Sequence, residues 1–283
     1  MTSISPAPTP ASGAPGARHK IEFEEVTKTY RTDSGDSVQA LASTTLSIDE
    51  GEFVCIVGPS GCGKSTLMQM LAGFHQPTTG RVLTDGAPVV APDRDRGVVF
   101  QQANLYPWLT TRANVELGPR LRGVAKAERR AVADQYLEMV GLTKFADRKP
   151  YELSGGMQQR AQIARVLANA PDVILMDEPF GALDALTRER MQMELSQIWR
   201  ERRTTVVFIT HDVEEAIFLG TRVLVMTARP GRVMLDLPVQ LTSDGVAVPE
   251  LRSQANFIEL RDTVTEAIYR AQDGVTDNDH LDP

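Results

Sequence analysis

The sequence predicts an α/β domain with a largely parallel central sheet covered on both faces. Three observations predict it. Short apolar runs at 53–57, 173–176 and 206–210 have the length and composition of buried central strands. Helix signals follow these runs, so strand and helix alternate along the chain. A glycine-rich loop joins the first run to its helix.

Residues 1–18 are rich in Pro, Ala, Ser, Thr and Gly and are expected to form a disordered leader. Ile21 and Phe23 then alternate with charged neighbours, as in a half-buried strand. A turn signal spans 32–37, and Leu46 and Ile48 alternate again before Asp49-Glu50-Gly51 closes that strand. After the glycine-rich loop a helix starts at about Lys64 and stops near Gly73. The segment 112–149 has helical character and many charges. It lies between β-signals at Val98-Val99-Phe100 and at 173–176, so a helical insertion between two strands is the simplest arrangement. Pro171 ends the helix that precedes the second of these strands. The next helix, at 186–203, presents Met191, Leu195 and Ile198 on one face. Asp212 and Glu215 have capping-box spacing, so another helix begins right after His211, and Gly220 ends it. A further strand at 223–226 is followed by a turn at Pro230-Gly231. Phe257, Leu260, Val264 and Ile268 recur at helical spacing and predict a docking helix. An acidic tail carries Asp273, Asp277, Asp279 and Asp282. The expected organisation is a leader at 1–18 and one domain at 19–250, with a helical subdomain at about 102–165. A C-terminal helix at 251–271 and a tail at 272–283 follow.

Composition narrows the class. A chain of 283 residues, 42% apolar, can bury the core of one large domain, with or without a subdomain. A net charge of −7 argues against a general nucleic-acid binder. Cys55 and Cys62 offer neither a disulfide framework nor zinc spacing, which fits a reducing cytoplasm. No apolar stretch reaches the roughly 18 residues of a membrane-spanning helix. The N-terminus lacks an apolar signal core. A role at a membrane must therefore come through a partner.

Gly58-Pro59-Ser60-Gly61-Cys62-Gly63-Lys64-Ser65-Thr66 satisfies the phosphate-loop pattern G-x-x-x-x-G-K-[ST], in the strand–loop–helix context that the pattern needs. Gly61 and Gly63 permit backbone conformations that point several N–H groups into one concavity. The following helix adds its positive N-terminal end. Lys64 can reach the β- and γ-phosphates, and the Ser65 hydroxyl can complete a Mg²⁺ shell. The loop alone defines a P-loop NTPase, and GTPases, kinases and motor ATPases stay open at this point. The absence of an Asn-Lys-x-Asp motif lowers the GTPase reading.

The run at 173–176 ends in Asp177-Glu178. Adjacent acids at the end of a buried strand are costly without a cation nearby. Asp177 is suited to hold Mg²⁺ and Glu178 to polarise an attacking water as general base. A solvated strand end is the plain alternative, and the phosphate loop upstream favours the functional reading. The run at 206–210 delivers His211 to the sheet edge in the same way. In a doubly wound sheet, ligands gather at the carboxyl ends of strands. Gly58, Asp177 and His211 are therefore expected at one rim.

Leu153-Ser154-Gly155-Gly156-Met157-Gln158-Gln159-Arg160 completes a pattern. With GPSGCGKST, Gln101, VILMDEP, Ala182-Leu183-Asp184 and His211 in order, the chain resembles the ATP-binding subunit of ABC transporters over residues 21–240. Bottom-up, Ser154 can cap a helix running to about Ala168, and Gly155 and Gly156 expose N–H groups at its positive end. The resemblance implies a P-loop NTPase fold with an N-terminal antiparallel β-subdomain. It implies that Ser154, Gly155 and Gly156 serve the ATP held by a second copy, in a head-to-tail dimer. It also makes Tyr30 the aromatic that stacks on adenine, although Tyr in a strand often only packs. Gln101, with Gln102 as the neighbouring alternative, becomes the lid-loop glutamine that contacts Mg²⁺ and water. Asp184 becomes the acid linking two ATP sites, and Glu178 and His211 the hydrolytic pair.

The stretch Gln102-Ala103-Asn104-Leu105-Tyr106-Pro107-Trp108-Leu109, with Met226-Thr227-Ala228-Arg229-Pro230-Gly231-Arg232, resembles the nitrate, sulfonate and taurine import branch. The resemblance implies a peripheral subunit at the cytoplasmic membrane face. It would work with transmembrane permease subunits and, indirectly, an extracytoplasmic solute-binding protein, with no nucleic acid. Trp108 and Leu109 would suit an apolar contact with the permease; packing of Trp108 inside the subdomain is the alternative. An exporter subunit stays open. A soluble ABC ATPase would usually carry two nucleotide domains or a long coiled-coil insertion, and neither is visible.

Overall fold

A computed structural model of the chain describes residues 19–31, 35–228, 230–241 and 249–273. The leader at 1–18 lies outside the described residues, as do 32–34 in the first turn signal and the tail beyond Asp273.

Strand β1 (Ile21–Arg31) pairs antiparallel with β2 (Ser37–Ile48), with Ile21 opposite Ile48 and Tyr30 opposite Val38. The period of two buries Ile21 and Phe23 while Glu22 and Glu24 stay partly exposed. Next comes β3 (Phe53–Val57), wholly buried, then the glycine-rich loop and α1 (Lys64–Leu71). The chain returns as β4 (Thr79–Thr84), antiparallel to β1, and the short β5 (Ala87–Pro88). These strands form a four-stranded antiparallel sheet in the order β2-β1-β4-β5.

After β6 (Arg96–Val99) the helical insertion follows: α2 (Thr111–Val115), α3 (Leu117–Leu121), α4 (Lys126–Met139) and α5 (Gly155–Ala168). Then come β7 (Val173–Asp177), α6 (Ala185–Arg202), β8 (Thr205–Ile209), α7 (Val213–Leu219), β9 (Arg222–Thr227) and β10 (Arg232–Pro238). A 3-10 turn (Pro249–Ser253) leads into α8 (Ala255–Asp273). The second sheet has the order β10-β9-β3-β8-β7-β6, parallel throughout except for β10 at its edge. This is the predicted α/β P-loop NTPase fold. Among the described residues no helix is long and apolar enough to cross a membrane.

The parallel sheet divides the core by alternation. Phe53, Cys55 and Val57 join Ile174, Met176, Val206 and Phe208 on one face, under α5, α6 and α7. Val54 and Ile56 join Val173, Leu175, Val207 and Ile209 on the other, under α1 and the antiparallel sheet. Each such side chain contributes about 1.5–3 kcal/mol by leaving water. Register matters for the site. Ile209 lies opposite both Ile56 and Asp177, so β3, β7 and β8 end level with one another.

Three local features differ from the sequence reading. On α6 the stripe is wider than predicted: Trp199 is buried, its indole N–H donating to the Gly51 carbonyl at 3.0 Å, while Ile198 is only partly buried. Asp212 caps α7 through the Glu215 N–H at 3.1 Å, but the Glu215 side chain turns inward instead of closing a capping box. The apolar stripe of α8 packs on its own chain, against α7 and β9, with Phe257 and Val264 fully buried.

Candidate nucleotide site

The phosphate loop leaves β3 and enters α1 through three glycines in the left-handed region: Gly58 (φ 149°), Gly61 (φ 76°) and Gly63 (φ 94°). Gly63 occupies the N-cap of α1 with no side-chain cap, so the first-turn N–H groups keep their capacity for an anion. Lys64 lies across the loop, its Nζ donating to the carbonyls of Gly58 at 2.7 Å and Pro59 at 2.9 Å. Cys62 is buried beneath, its sulfur 3.6 Å from that ammonium.

A glycine far along the chain fits against this loop. A Cβ at Gly231 would stand 2.0 Å from the Cys62 carbonyl oxygen. The Gly231 N–H donates to Ala40 O at 3.1 Å, and its carbonyl accepts from Ala42 N at 2.9 Å. β2, the phosphate loop and the turn before β10 thus meet at one residue. In sequence Gly231 reads only as half of a turn, because its neighbours are remote along the chain.

Asp177 ends β7 beside the loop. Burial holds its carboxyl above its ordinary value, opposed by a hydrogen bond to the Ser65 hydroxyl and, more weakly, by Lys64. Ser65 and Asp177 place two hard oxygens together. Among the described residues no group of three His, Cys, Asp or Glu could hold a metal. Mg²⁺ commonly binds through one or two protein oxygens, water and substrate phosphates, so this pair fits Mg²⁺ that arrives with a nucleotide. The pKa direction gives a test. The folded state holds the Asp177 proton more tightly than the unfolded chain does. Stability therefore falls as pH rises from the ordinary carboxylate value through the raised one. Without nucleotide or divalent cation, Asp177→Asn should melt above the parent at neutral pH and level with it below the carboxylate range. Thermal melts at the two pH values check this, and equal melting at both would contradict it.

Glu178 follows in the left-handed region at φ 45°, a conformation costing a non-glycine residue about 1–2 kcal/mol. Its N–H donates to Ile209 O at 2.9 Å, which ties it to the end of β8. One carboxylate oxygen, Oε2, receives the Gln101 amide at 3.2 Å and lies 3.3 Å from His211 Nδ1. Gln101, not Gln102, makes this contact. Two residues from separate segments, Gln101 and His211, thus converge on one oxygen of Glu178. Gln101 is itself held from the helical insertion: Gln159 and Gln162 of α5 both donate to the Phe100 carbonyl, at 3.0 and 2.8 Å. In sequence this support shows only as two glutamines three residues apart, Gln159 and Gln162, whose burial the fold reveals.

Ser154 caps α5, its Oγ accepting the Met157 N–H at 3.3 Å. A Cβ at Gly156 would meet Ala182 O at 3.1 Å, so a side chain there would have the next loop give by a few tenths of an ångström. A Cβ at Gly155 would meet nothing within 4 Å. Asp184 caps α6 through the Thr187 N–H at 3.0 Å, and this hydrogen bond holds its carboxyl below its ordinary value. Tyr30 is partly exposed near the end of β1, opposite Val38, with the Lys28 ammonium 5.1 Å from its ring centroid. The Tyr30 ring also meets the His75 ring edge-on, with centroids 6.2 Å apart.

A phosphate loop on a parallel sheet, with a carboxylate pair and a histidine at the same strand ends, defines a P-loop nucleotide hydrolase. The model of the ABC transporter family matches residues 41–181. The taurine import ATP-binding protein TauB of Roseobacter denitrificans is 42% identical over 257 residues, 90% of this chain and 96% of that protein. The nitrate import ATP-binding protein NrtD of Synechococcus elongatus is 44% identical over 275 residues, 95% and 97% of the two chains. The dimeric ATP-binding cassette MJ0796, solved in a post-hydrolysis state with ADP and Pi, superposes with a TM-score of 0.71 at 40% identity. That match covers 78% of this chain and 99% of the cassette. The chain belongs to the ATP-binding subunits of ABC transporters, which hydrolyse ATP.

Proposed function

We propose that the chain drives an importer for a small anionic solute of the nitrate, sulfonate or taurine kind. It acts as a head-to-tail dimer under a separate permease, at the cytoplasmic face of a membrane. One observation carries the dimeric site. Gly155 sits at the exposed N-terminus of α5, where nothing among the described residues needs a glycine, yet any side chain would obstruct an approaching phosphate. The cassette MJ0796 supports the same arrangement, being described as a dimer.

In this reading the phosphates lie in the loop at Gly58 to Thr66, with Lys64 turned from the loop carbonyls to the β- and γ-phosphates. Tyr30 faces adenine. Ser65 and Asp177 hold Mg²⁺, which offsets phosphate charge when bound. Glu178 accepts a proton from the attacking water, and Gln101 and His211 fix its Oε2. Ser154, Gly155 and Gly156 of a second copy close the site over the γ-phosphate, and Asp184 lies between the two sites. Loss of the γ-phosphate removes what joins the halves, and the pair opens.

The names of TauB and NrtD support import of a solute that bears an anionic group, nitrate itself or the sulfonate of taurine. The surface supports a permease contact. Trp108 is 68% exposed beside Tyr106, with ring centroids 5.3 Å apart, so it is not core packing of the subdomain. Trp108→Ala should release the permease, at least tenfold in affinity for a buried aromatic anchor, while ATP affinity stays within about twofold. Co-purification and nucleotide titration check this; loss of nucleotide affinity with assembly intact would contradict it. The solute class is tested by purifying the chain with its native partners. Nitrate, sulfonates or taurine should raise the melting temperature of the co-purified binding protein. Stabilisation by sugars or cations alone would overturn the class.

A further inference from the structure

The His211 side chain is 71% exposed and its one side-chain partner among the described residues is Glu178, so little packing holds its ring and the backbone on either side sets where it stands. That backbone is clamped by one buried hydroxyl. Thr210 Oγ1 donates to Glu215 Oε2 at 2.5 Å and accepts the Asp212 N–H at 3.0 Å. The Thr210 N–H donates to Ile56 O at 3.2 Å. Residues before and after the histidine are therefore fixed through Glu215.

Glu215 is fixed in turn from a distance. Its Oε1 accepts Gln192 Nε2 at 2.9 Å, and Gln192 Oε1 accepts Arg252 Nη2 at 2.8 Å. A side-chain amide has a donor end and an acceptor end. Arg252 takes the acceptor end and leaves the donor end to face the carboxyl. Without Arg252 the amide is free to turn its oxygen towards Glu215, where oxygen would meet oxygen. Arg252 belongs to the 3-10 turn before α8, sits 4.5 Å from the Phe218 ring centroid, and lies 3.5 Å from Glu189. Thr210, Gln192 and Glu215 are each buried. The chain of hydrogen bonds thus runs from the C-terminal segment through α6 and α7 to the end of β8.

We infer that Arg252, Gln192, Glu215 and Thr210 are positioning residues for His211, through which the C-terminal segment sets the rate of hydrolysis without setting nucleotide affinity. The inference rests on the hydrolytic role proposed for His211, and the test separates the two.

Steady-state ATP hydrolysis by the full chain is measured against ATP concentration. Arg252→Ala and Thr210→Val should each lower kcat about tenfold or more, a cost typical of misplacing a reacting group. KM should stay within about twofold. Thr210→Ser keeps the hydroxyl and should restore turnover. In a His211→Ala background Arg252→Ala should leave the residual rate unchanged, because nothing remains to be positioned. An equal loss in both backgrounds, a rise in KM alone, or an unchanged kcat would overturn the inference. If Arg252→Ala fails to fold, the Thr210 pair decides, and equal rates for Val and Ser overturn it. Full turnover in His211→Ala alone would instead remove the role of the histidine.

Discussion

Glu178→Gln should bind ATP, retain it and accumulate as an ATP-bound dimer, with turnover reduced about 100-fold or more, as expected on losing a general base. The expectation follows from where the carboxylate sits. Oε2 is taken up by Gln101 and His211, and Oε1 accepts no hydrogen bond from a described residue. A glutamine has the same shape and preserves the contact to one neighbour, but it cannot take a proton from water. The residues proposed to hold phosphate, at Gly58 to Thr66, make no use of this side chain in the hydrogen bonds of the loop. Binding and hydrolysis should therefore separate. Single-turnover hydrolysis and chromatographic sizing with Mg²⁺ and ATP check it. Turnover near the parental rate would remove Glu178 as the base.

Gly231→Ala should destabilise the chain by about 1–3 kcal/mol, as overpacking does, and weaken ATP binding at least tenfold. The added methyl group would need the place of the Cys62 carbonyl, and that peptide belongs to the phosphate loop. Relief requires movement of the loop, or of the turn that Ala40 and Ala42 hold by hydrogen bonds. Gly86→Ala is the control. Gly86 has φ 75° but open space around its Cβ position, so its cost is the left-handed backbone alone, about 1–2 kcal/mol. Both variants should melt lower, and only Gly231→Ala should lose nucleotide affinity. Denaturant unfolding and nucleotide titration of the pair check the distinction. Parental ATP affinity in Gly231→Ala would show that the loop does not depend on this contact.

Much of the site is legible in the sequence because its parts are local. The loop declares itself by spacing, and Asp177, Glu178 and His211 each follow an apolar run whose strand type is unmistakable. Parallel pairing then brings the ends of β3, β7 and β8 level, as the register of Ile56, Ile209 and Asp177 shows. What the sequence hides is long-range or ambiguous. Gly231 looks like a turn glycine, while its requirement comes from Cys62 and Ala40. Glu215 has capping-box spacing, and Asp212 does cap the helix, yet the buried amide of Gln192 draws the carboxyl inward. Trp199 stands four residues beyond Leu195, on the predicted face of α6; what the sequence hides is its partner, the Gly51 carbonyl in a turn before β3. The helix at the C-terminus reads as a docking element, and its docking surface turns out to be α7 and β9 of the same chain.

In the proposed dimer the phosphate loop holds half of a shared site and a second copy supplies the rest. The direct measurement is the mass of the Glu178→Gln protein in saturating Mg²⁺ and ATP, with and without Gly155→Asp. This shared site predicts a dimer for Glu178→Gln. It predicts a monomer that still binds ATP when Gly155→Asp is added, because the carboxylate obstructs only the phosphate of the other copy. An ATP-bound dimer that survives Gly155→Asp, or a monomer that loses its ATP, would contradict it.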